Sequence, residues 1–359
     1  MPVPILAAVR SPFAMADGVL AGWHPVDLSV VVAQAALDHA GIDAAALGHV
    51  WVGCDEPVGA QGANVARAIV LGAGWPETIG ATVVEAGPHS GMSALAAAVD
   101  AIEAGRVEAA IVVGVASSSI VQPGASALAR LYGRPWGDLP AARFDDEGGI
   151  VAPVVAADRA ALAADIDRAA QDAWGLRSIE RRTPPPGGLV TVGARPGDGV
   201  AVQKDTPVTD DAIRSIPVDD LEPVFEPDGT TTAAGYAPAA DGVGVLVLGR
   251  GAEPIGEIVR VDQVATSPLA VAAITPDASA DRIDLAAVSA STALAAIRLA
   301  GLDPDQVDLD GGTIATGDAA AAEDLRLVVD GLHRCEPDTS GYALRAGTGA
   351  AAGCFWRRL

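Results

Sequence analysis

His89 and Asp318 are the ionisable side chains best placed to do chemistry, because each stands where a glycine-containing turn runs into a predicted helix. A histidine at a helix N-terminus feels the positive end of the macrodipole, which lowers its pKa and suits it to act as a neutral general base. The structural alternative for His89 is a polar helix cap. A carboxylate at the second position accepts backbone N–H groups as an N-cap, or, beside an apolar pocket, has its pKa raised and serves as a base. Cysteine is the other source of nucleophilic chemistry. Cys54, Cys335 and Cys354 are far apart, odd in number and without metal-ligand or disulfide spacing, so no metal site and no disulfide framework is expected. Cys54 follows a predicted strand and Cys354 lies in the last one, so both read as core. Cys335 reads as part of an exposed turn.

The elements that must position these groups follow from hydrophobic periodicity. Residues 2–9 read as a buried strand, and 25–40 as a helix with apolar residues at helical spacing and Gly41 as its stop. Strands are expected at 49–54, 81–86 and 109–116, with helices at 64–71 and 90–105 between them. The wholly apolar run 109–116 is the mark of a strand covered on both faces. A β–α–β order of this kind builds a parallel sheet with helices packed on it. From about Ser117 to Pro227 the periodicity breaks up, with one helix expected over 158–176. This stretch also carries Arg177, Arg181, Arg182 and Arg214, which read as a solvated face. Regular structure resumes at the apolar strand 242–249. The last third echoes the first: 295–309 resembles 33–50, and 312–329, read as strand, glycine turn and helix, resembles 83–99. Such an echo implies a duplicated α/β unit.

With 359 residues, half of them apolar and only 4% aromatic, the chain can bury a large core filled by Ala, Val, Leu and Ile. A net charge of −23 argues against nucleic acid and anionic membranes as partners. No apolar run reaches the ~18 residues of a membrane helix. The N-terminal MPVPILAAVRSPF lacks the features of a signal peptide, and the unpaired cysteines suit a reduced cytosol, so a cytoplasmic location is expected.

Six segments, in order, resemble the thiolase superfamily. They are RSPF (10–13), LAGWHPVDL (20–28), the stretch 52–76 with Gln61, Asn64, Ala66 and Arg67, the block 221–248, GGTIATG (311–317) and AGTGAAAG (346–353). The resemblance runs nearly end to end. It implies an α/β thiolase fold: two duplicated βαβαβαββ halves in a five-layered αβαβα arrangement with an inserted loop domain. The implied division is 1–118 for the N-terminal half, 119–230 for the loop domain, 231–250 for the last strand of that half, and 251–359 for a shortened C-terminal half. Between Pro268 and Asp284 there is no room for the helix usually found there.

Thiolases act on coenzyme A thioesters through a nucleophilic cysteine at a helix N-terminus, a histidine and second cysteine for proton transfer, and oxyanion donors. The resemblance aligns those positions with residues that cannot do this chemistry. The nucleophile falls on Pro88, or on Gly87 with a one-residue shift. The Asn-Glu-Ala-Phe segment falls on Ser289–Thr292, the histidine on Asp318 and the second cysteine on Ala343. What remains as catalytic candidates is His89, Asp318 and Tyr236, the last in the block expected to face the pantetheine arm. By the same resemblance, Arg177, Arg181, Arg182 and Arg214 are candidates to hold the phosphates of coenzyme A. No covalent cofactor is expected, and a coenzyme A thioester is the expected ligand. The implied role is a non-catalytic subunit, as a homodimer or as a heteromer with an intact thiolase-family chain. The alternatives are a cysteine-independent acyl-CoA lyase of retro-aldol or retro-Claisen type working with an OB-fold partner, and an acetyl-CoA acyltransferase.

Overall fold

A computed structural model describes the chain except for residues 129–132, 134–135, 185–186, 198–200, 207–216 and 251–252. The first half runs β1 (Val3–Arg10), α1 (Pro25–Ala40), β2 (His49–Gly53), α2 (Val65–Gly72), β3 (Gly80–Val84), α3 (Ser90–Glu103) and β4 (Ala109–Ser117). Helix α1 begins and ends where the sequence says it should. His24 accepts the Val26 N–H, Pro25 opens the first turn, and Gly41 closes the helix at φ 64°. After β4 comes an excursion with two sizeable helices, α4 (Pro153–Ala163) and α5 (Arg168–Arg181), and then β5 (Ala240–Gly249). The second half is β6 (Gly256–Ala265), β7 (Arg282–Ala286), α6 (Ala290–Ala300), α7 (Ala320–Arg334), β8 (Ser340–Thr348) and β9 (Ala350–Arg358).

The duplication is written in the strand order. One mixed sheet runs β3-β2-β4-β5-β1-β6-β9-β8-β7. In the first half β2 is parallel to β3 and β4, while β5 is antiparallel to β4 and β1. In the second half β7 is parallel to β8 and, through a single bridge from Ile283, to Val307; β9 is antiparallel to β8 and β6. Val307 is thus the remnant of the strand that corresponds to β3. The halves join where Val3–Ile5 of β1 pairs with β6.

Three core clusters separate five layers. Alternate residues of β4 divide between two of them: Ile111, Val113 and Val115 face α1 and α2, whereas Ala110 and Val112 face α3 and α7. The second half repeats the pattern, with Tyr342, Leu344 and Ala346 of β8 facing α6 and α4, and Ala343 facing the central pair. Helices α3 and α7 therefore lie buried between the two halves of the sheet. Glycine makes the close approach to α7 possible, because a Cβ on Gly91 of α3 or on Gly114 of β4 would sit 2.2 Å from the Ala321 carbonyl oxygen.

Four expectations need correction. The single helix expected over 158–176 is two, separated at Asp165, which takes φ 54°, and restarted by Asp167 capping the Ala170 N–H. The expected strand within 312–317 is a helical turn, Thr313–Thr316. The echo of 33–50 in 295–309 is one unit out of register: α6 follows the second strand of its half and corresponds to α2, not α1. A counterpart of α1 is what the second half lacks, since 266–281 contains only the two-residue strand Val271–Ala272. Finally, Cys335 is half-buried at the C-cap of α7 instead of exposed in a turn.

Candidate active site

Ligands of open α/β sheets bind beyond the carboxyl ends of the parallel strands. Here those ends, with the N-termini of α3 and α7, enclose a cavity of about 580 Å³. The first half brings Asp55 and Glu56 after β2, Ser117 and Ser118 at the end of β4, and Pro88 and His89 before α3. The second half brings Asp318 before α7 and Arg345 from β8, and Tyr236 enters from the strand-like segment ahead of β5.

The turn into α3 is held without help from His89. Glu85 accepts the Gly87 N–H at 2.8 Å, and the Ser90 hydroxyl accepts the Ala86 N–H at 2.9 Å while donating to the Gly87 carbonyl at 2.5 Å. His89 occupies the N-cap position but makes no capping bond, and its Nδ1 is buried without a partner. Burial first, and then the positive charge of Arg345, pushes the imidazole down to about 4, so it is a neutral ring at physiological pH.

Asp318 accepts a backbone N–H at the start of α7, as its N-cap reading expects, but it is engaged by an arginine as well and is not a free carboxylate beside an apolar pocket. The Arg345 guanidinium donates to both of its oxygens, at 2.9 and 2.8 Å, and the Ala320 N–H donates to Oδ1 at 2.9 Å. Arg345 is 2% exposed, with burial opposing its charge and Asp318 restoring it, so the pair is a bidentate salt bridge in the cavity wall, buried on the arginine side and half-buried at the carboxylate. Tyr236 lies edge-to-face against Phe225, ring centres 4.9 Å apart. Burial, and then Asp318, raises its phenol above the ordinary value, so it stays a protonated donor.

Asp55 is the candidate site residue that sequence reasoning passed over. Its carboxyl is pushed up to about 7, first by burial and then by the nearby charges of Asp318 and Glu56. The signal for it was an acidic pair directly following a strand of a parallel sheet. Glu56 is fixed, accepting the N–H groups of Gly124 at 2.5 Å and Ser126 at 2.7 Å. Arg345 was also missed, although an arginine inside the otherwise apolar YALRAG is a visible anomaly.

Other expected site residues lie elsewhere. Ser289 is fully buried as the N-cap of α6, bonded to the Thr292 N–H and to the hydroxyls of Ser291 and Thr292. Ala343 faces the central helices and not the cavity. Arg177 donates to the carbonyls of Pro304 at 2.7 Å and Val307 at 2.9 Å and stacks on Trp174, and Arg181 pairs with Asp305. Arg182 packs its backbone against Gly311. None of the three lines the cavity; they tie α5 to the turns before α7. Arg214 lies outside the described residues. No cysteine lines the cavity either. Burial pushes the Cys54 thiol up to about 12 and raises those of Cys335 and Cys354 as well.

Comparison with known proteins agrees with this architecture. Residues 3–252 match the family model "Thiolase, N-terminal domain". A β-ketoadipyl-CoA thiolase of Pseudomonas aeruginosa is 30% identical over 92% of this chain and 92% of its own length. A cytosolic acetyl-CoA acetyltransferase of Gibberella zeae is 27% identical over 91% and 90%. In structure, a thiolase of Ascaris suum in complex with coenzyme A superposes over the full length of both chains with a TM-score of 0.82 at 23% identity, a likeness of fold. A family-model match over residues 3–252, well over half of the chain, joined to a relative at 30% identity along nine-tenths of it, makes this protein a member of the thiolase family.

Proposed function

We propose that the chain binds an acyl-CoA thioester in its cavity but forms no acyl-enzyme, and serves as a non-catalytic subunit beside an intact thiolase-family protein. The ligand class is drawn from the relatives, whose names are those of acyl-CoA enzymes. The observation that carries the reading is the absence of a usable thiol. An acyl-enzyme needs a thiolate, yet Cys54 is fully buried with its thiol pushed up to about 12, and no cysteine lines the cavity. The positions aligned with catalytic groups have structural work instead: Ser289 caps α6, Asp318 is locked to Arg345, and Ala343 fills the core. Loss of all members of a catalytic set leaves binding as the remaining function. We place the protein in the cytosol, paired with itself or with an active relative.

A second reading has its own observation. Asp55, near neutrality in its titration, and the neutral His89 share the cavity wall, which supports acid–base cleavage of an acyl-CoA without cysteine, of retro-aldol or retro-Claisen type and with an OB-fold partner. The third reading, acetyl-CoA acyltransferase, is favoured by the relatives' names and would require the coenzyme A thiol to attack the ketone carbon directly, with the carbon–carbon bond breaking and the released α-carbon of acetyl-CoA taking up the proton, and with no acyl-enzyme between.

Purification of the untagged chain with its native neighbours, native mass measurement and an acetoacetyl-CoA cleavage assay separate these readings. Recovery with an intact thiolase-family chain, with no cleavage by this chain alone, is the expected result. A homodimer that cleaves acetoacetyl-CoA unaided, and stops doing so with His89→Ala or Asp55→Asn, would sink the non-catalytic role.

A further inference from the structure

We infer that the cavity selects acyl groups that end without a charge over those that end in a carboxylate, and that Asp55 is the residue enforcing the choice. The inference rests on the acyl-CoA reading above and concerns what lies beyond the thioester.

The argument is an inventory of charge on the cavity wall. Among the described lining residues there are three carboxyls, Asp55, Glu56 and Asp318, and one guanidinium, Arg345. That guanidinium is committed in charge: both terminal nitrogens donate to Asp318, and its Nε, buried away from the cavity and without a hydrogen bond, faces the fully buried Asp324 at 3.9 Å. His89 offers no cation, since it is a neutral ring. An incoming carboxylate would therefore be stripped of water and meet carboxyls with no counter-charge to spare. Glu56 is turned to the N–H groups of Gly124 and Ser126. Asp55 takes no hydrogen bond from another side chain among the described residues, and so is the carboxylate left to face a ligand. The rest of the wall suits hydrocarbon, with Val121, Val154, Val288 and Phe225 contributing to it. The buried, unpartnered Nδ1 of His89 beside this wall is a second sign that the polar groups here await a ligand.

The selection should depend on pH. Around Asp55 stand Cys54 and Glu56 on its own segment, Glu85 after β3, His89 before α3, Asp318 and Arg345 from the second half, and Tyr236. Asp55 itself titrates near neutrality in this company. It repels a ligand carboxylate fully at pH 8 and weakly at pH 6.

Butyryl-CoA and succinyl-CoA, alike in chain length and different in the terminal carboxylate, are the probes. Isothermal titration into the full chain at pH 8 should give butyryl-CoA an affinity roughly tenfold or more above that of succinyl-CoA. The gap should narrow at pH 6, and in Asp55→Asn it should narrow at both pH values, mainly by tighter binding of succinyl-CoA. Equal affinities in the wild type, or a gap that Asp55→Asn leaves intact, would overturn the inference. If neither thioester binds, the acyl-CoA reading itself falls and takes the inference with it.

Discussion

The starts of α3 and α7 are equivalent positions in the two halves, and both face the same cavity, yet they are built in opposite ways. At α3 the turn is closed by Ser90 and Glu85, which leaves His89 with an unpartnered nitrogen. At α7 the corresponding ionisable group, Asp318, takes the Ala320 N–H on one oxygen and a guanidinium across both. Buried polar groups are normally satisfied, and those that are not tend to mark sites that wait for a partner. The difference teaches that duplication fixed the scaffold while the halves diverged in purpose: the second half's helix start now supports the cavity wall, and the first half's helix start, with Asp55 beside it, presents to whatever enters.

The largest effect expected from this contrast is on stability. Arg345→Leu removes the guanidinium that compensates both the half-buried Asp318 and the fully buried Asp324 and leaves the latter without a counter-charge, at a cost of about 3 kcal/mol or more. His89→Ala removes a side chain with no hydrogen bond to lose and should stay within about 1 kcal/mol of the wild type. Urea denaturation of both variants at pH 8 checks this. Equal losses would mean that the two helix starts are not differently loaded. Between these extremes, Gly91→Ala drives a Cβ onto the Ala321 carbonyl where α3 meets α7 and should destabilise by about 1–3 kcal/mol. A smaller loss would show that the central helices can slide apart, and that the cavity they shape is softer than its packing indicates.

Much of the scaffold was legible in the sequence because its signals are local. Pro25 and Gly41 bracket α1, and the apolar runs of β4 and β5 can only be strands covered on both faces. The failures came where the decisive contact is distant or the signal is a single residue. Asp165 breaks the expected helix by adopting a left-handed conformation, for which an aspartate in an acidic, Ala-rich run gives little warning. The echo slipped by one unit because the counterpart of α1 is absent, so the next helix, glycine and acidic turn matched its pattern. Val307 could not reveal itself as a strand when it forms one bridge. At the site, the convergence of His89, Tyr236 and Asp318 followed from family resemblance. The engagement of Asp318 by a residue 27 positions away did not, since nothing in the order of residues says that Arg345 of β8 turns inward to meet it. Asp55 was hidden for a related reason: its titration is set first by burial in the cavity wall and then by Asp318 of the other half and its own neighbour Glu56.

The finest test of the contrast is within the first half's own pair, because Asp55 and His89 titrate in opposite senses. Asp55 is pushed up to about 7 in the folded chain from an ordinary value near 3.8. The folded state therefore keeps a proton that the unfolded state releases, and the resulting penalty grows as pH rises from about 4 to 7 and is complete above that. Asp55→Asn should gain stability relative to the wild type as pH climbs through this window, by roughly 1–3 kcal/mol at pH 8, and nothing near pH 4. His89 is pushed down to about 4 from 6.5, so it is the unfolded state that takes up the proton first as pH falls. Its penalty is absent above 6.5 and complete below 4, and His89→Gln should gain relative to the wild type on the acid side by a smaller amount, on the order of 1–2 kcal/mol. Urea midpoints for the three proteins from pH 4 to 8 should diverge from the wild type at opposite ends of the range. Parallel curves would place both side chains in solvent contact, with ordinary titration, and would remove the physical distinction between an open helix start and a locked one.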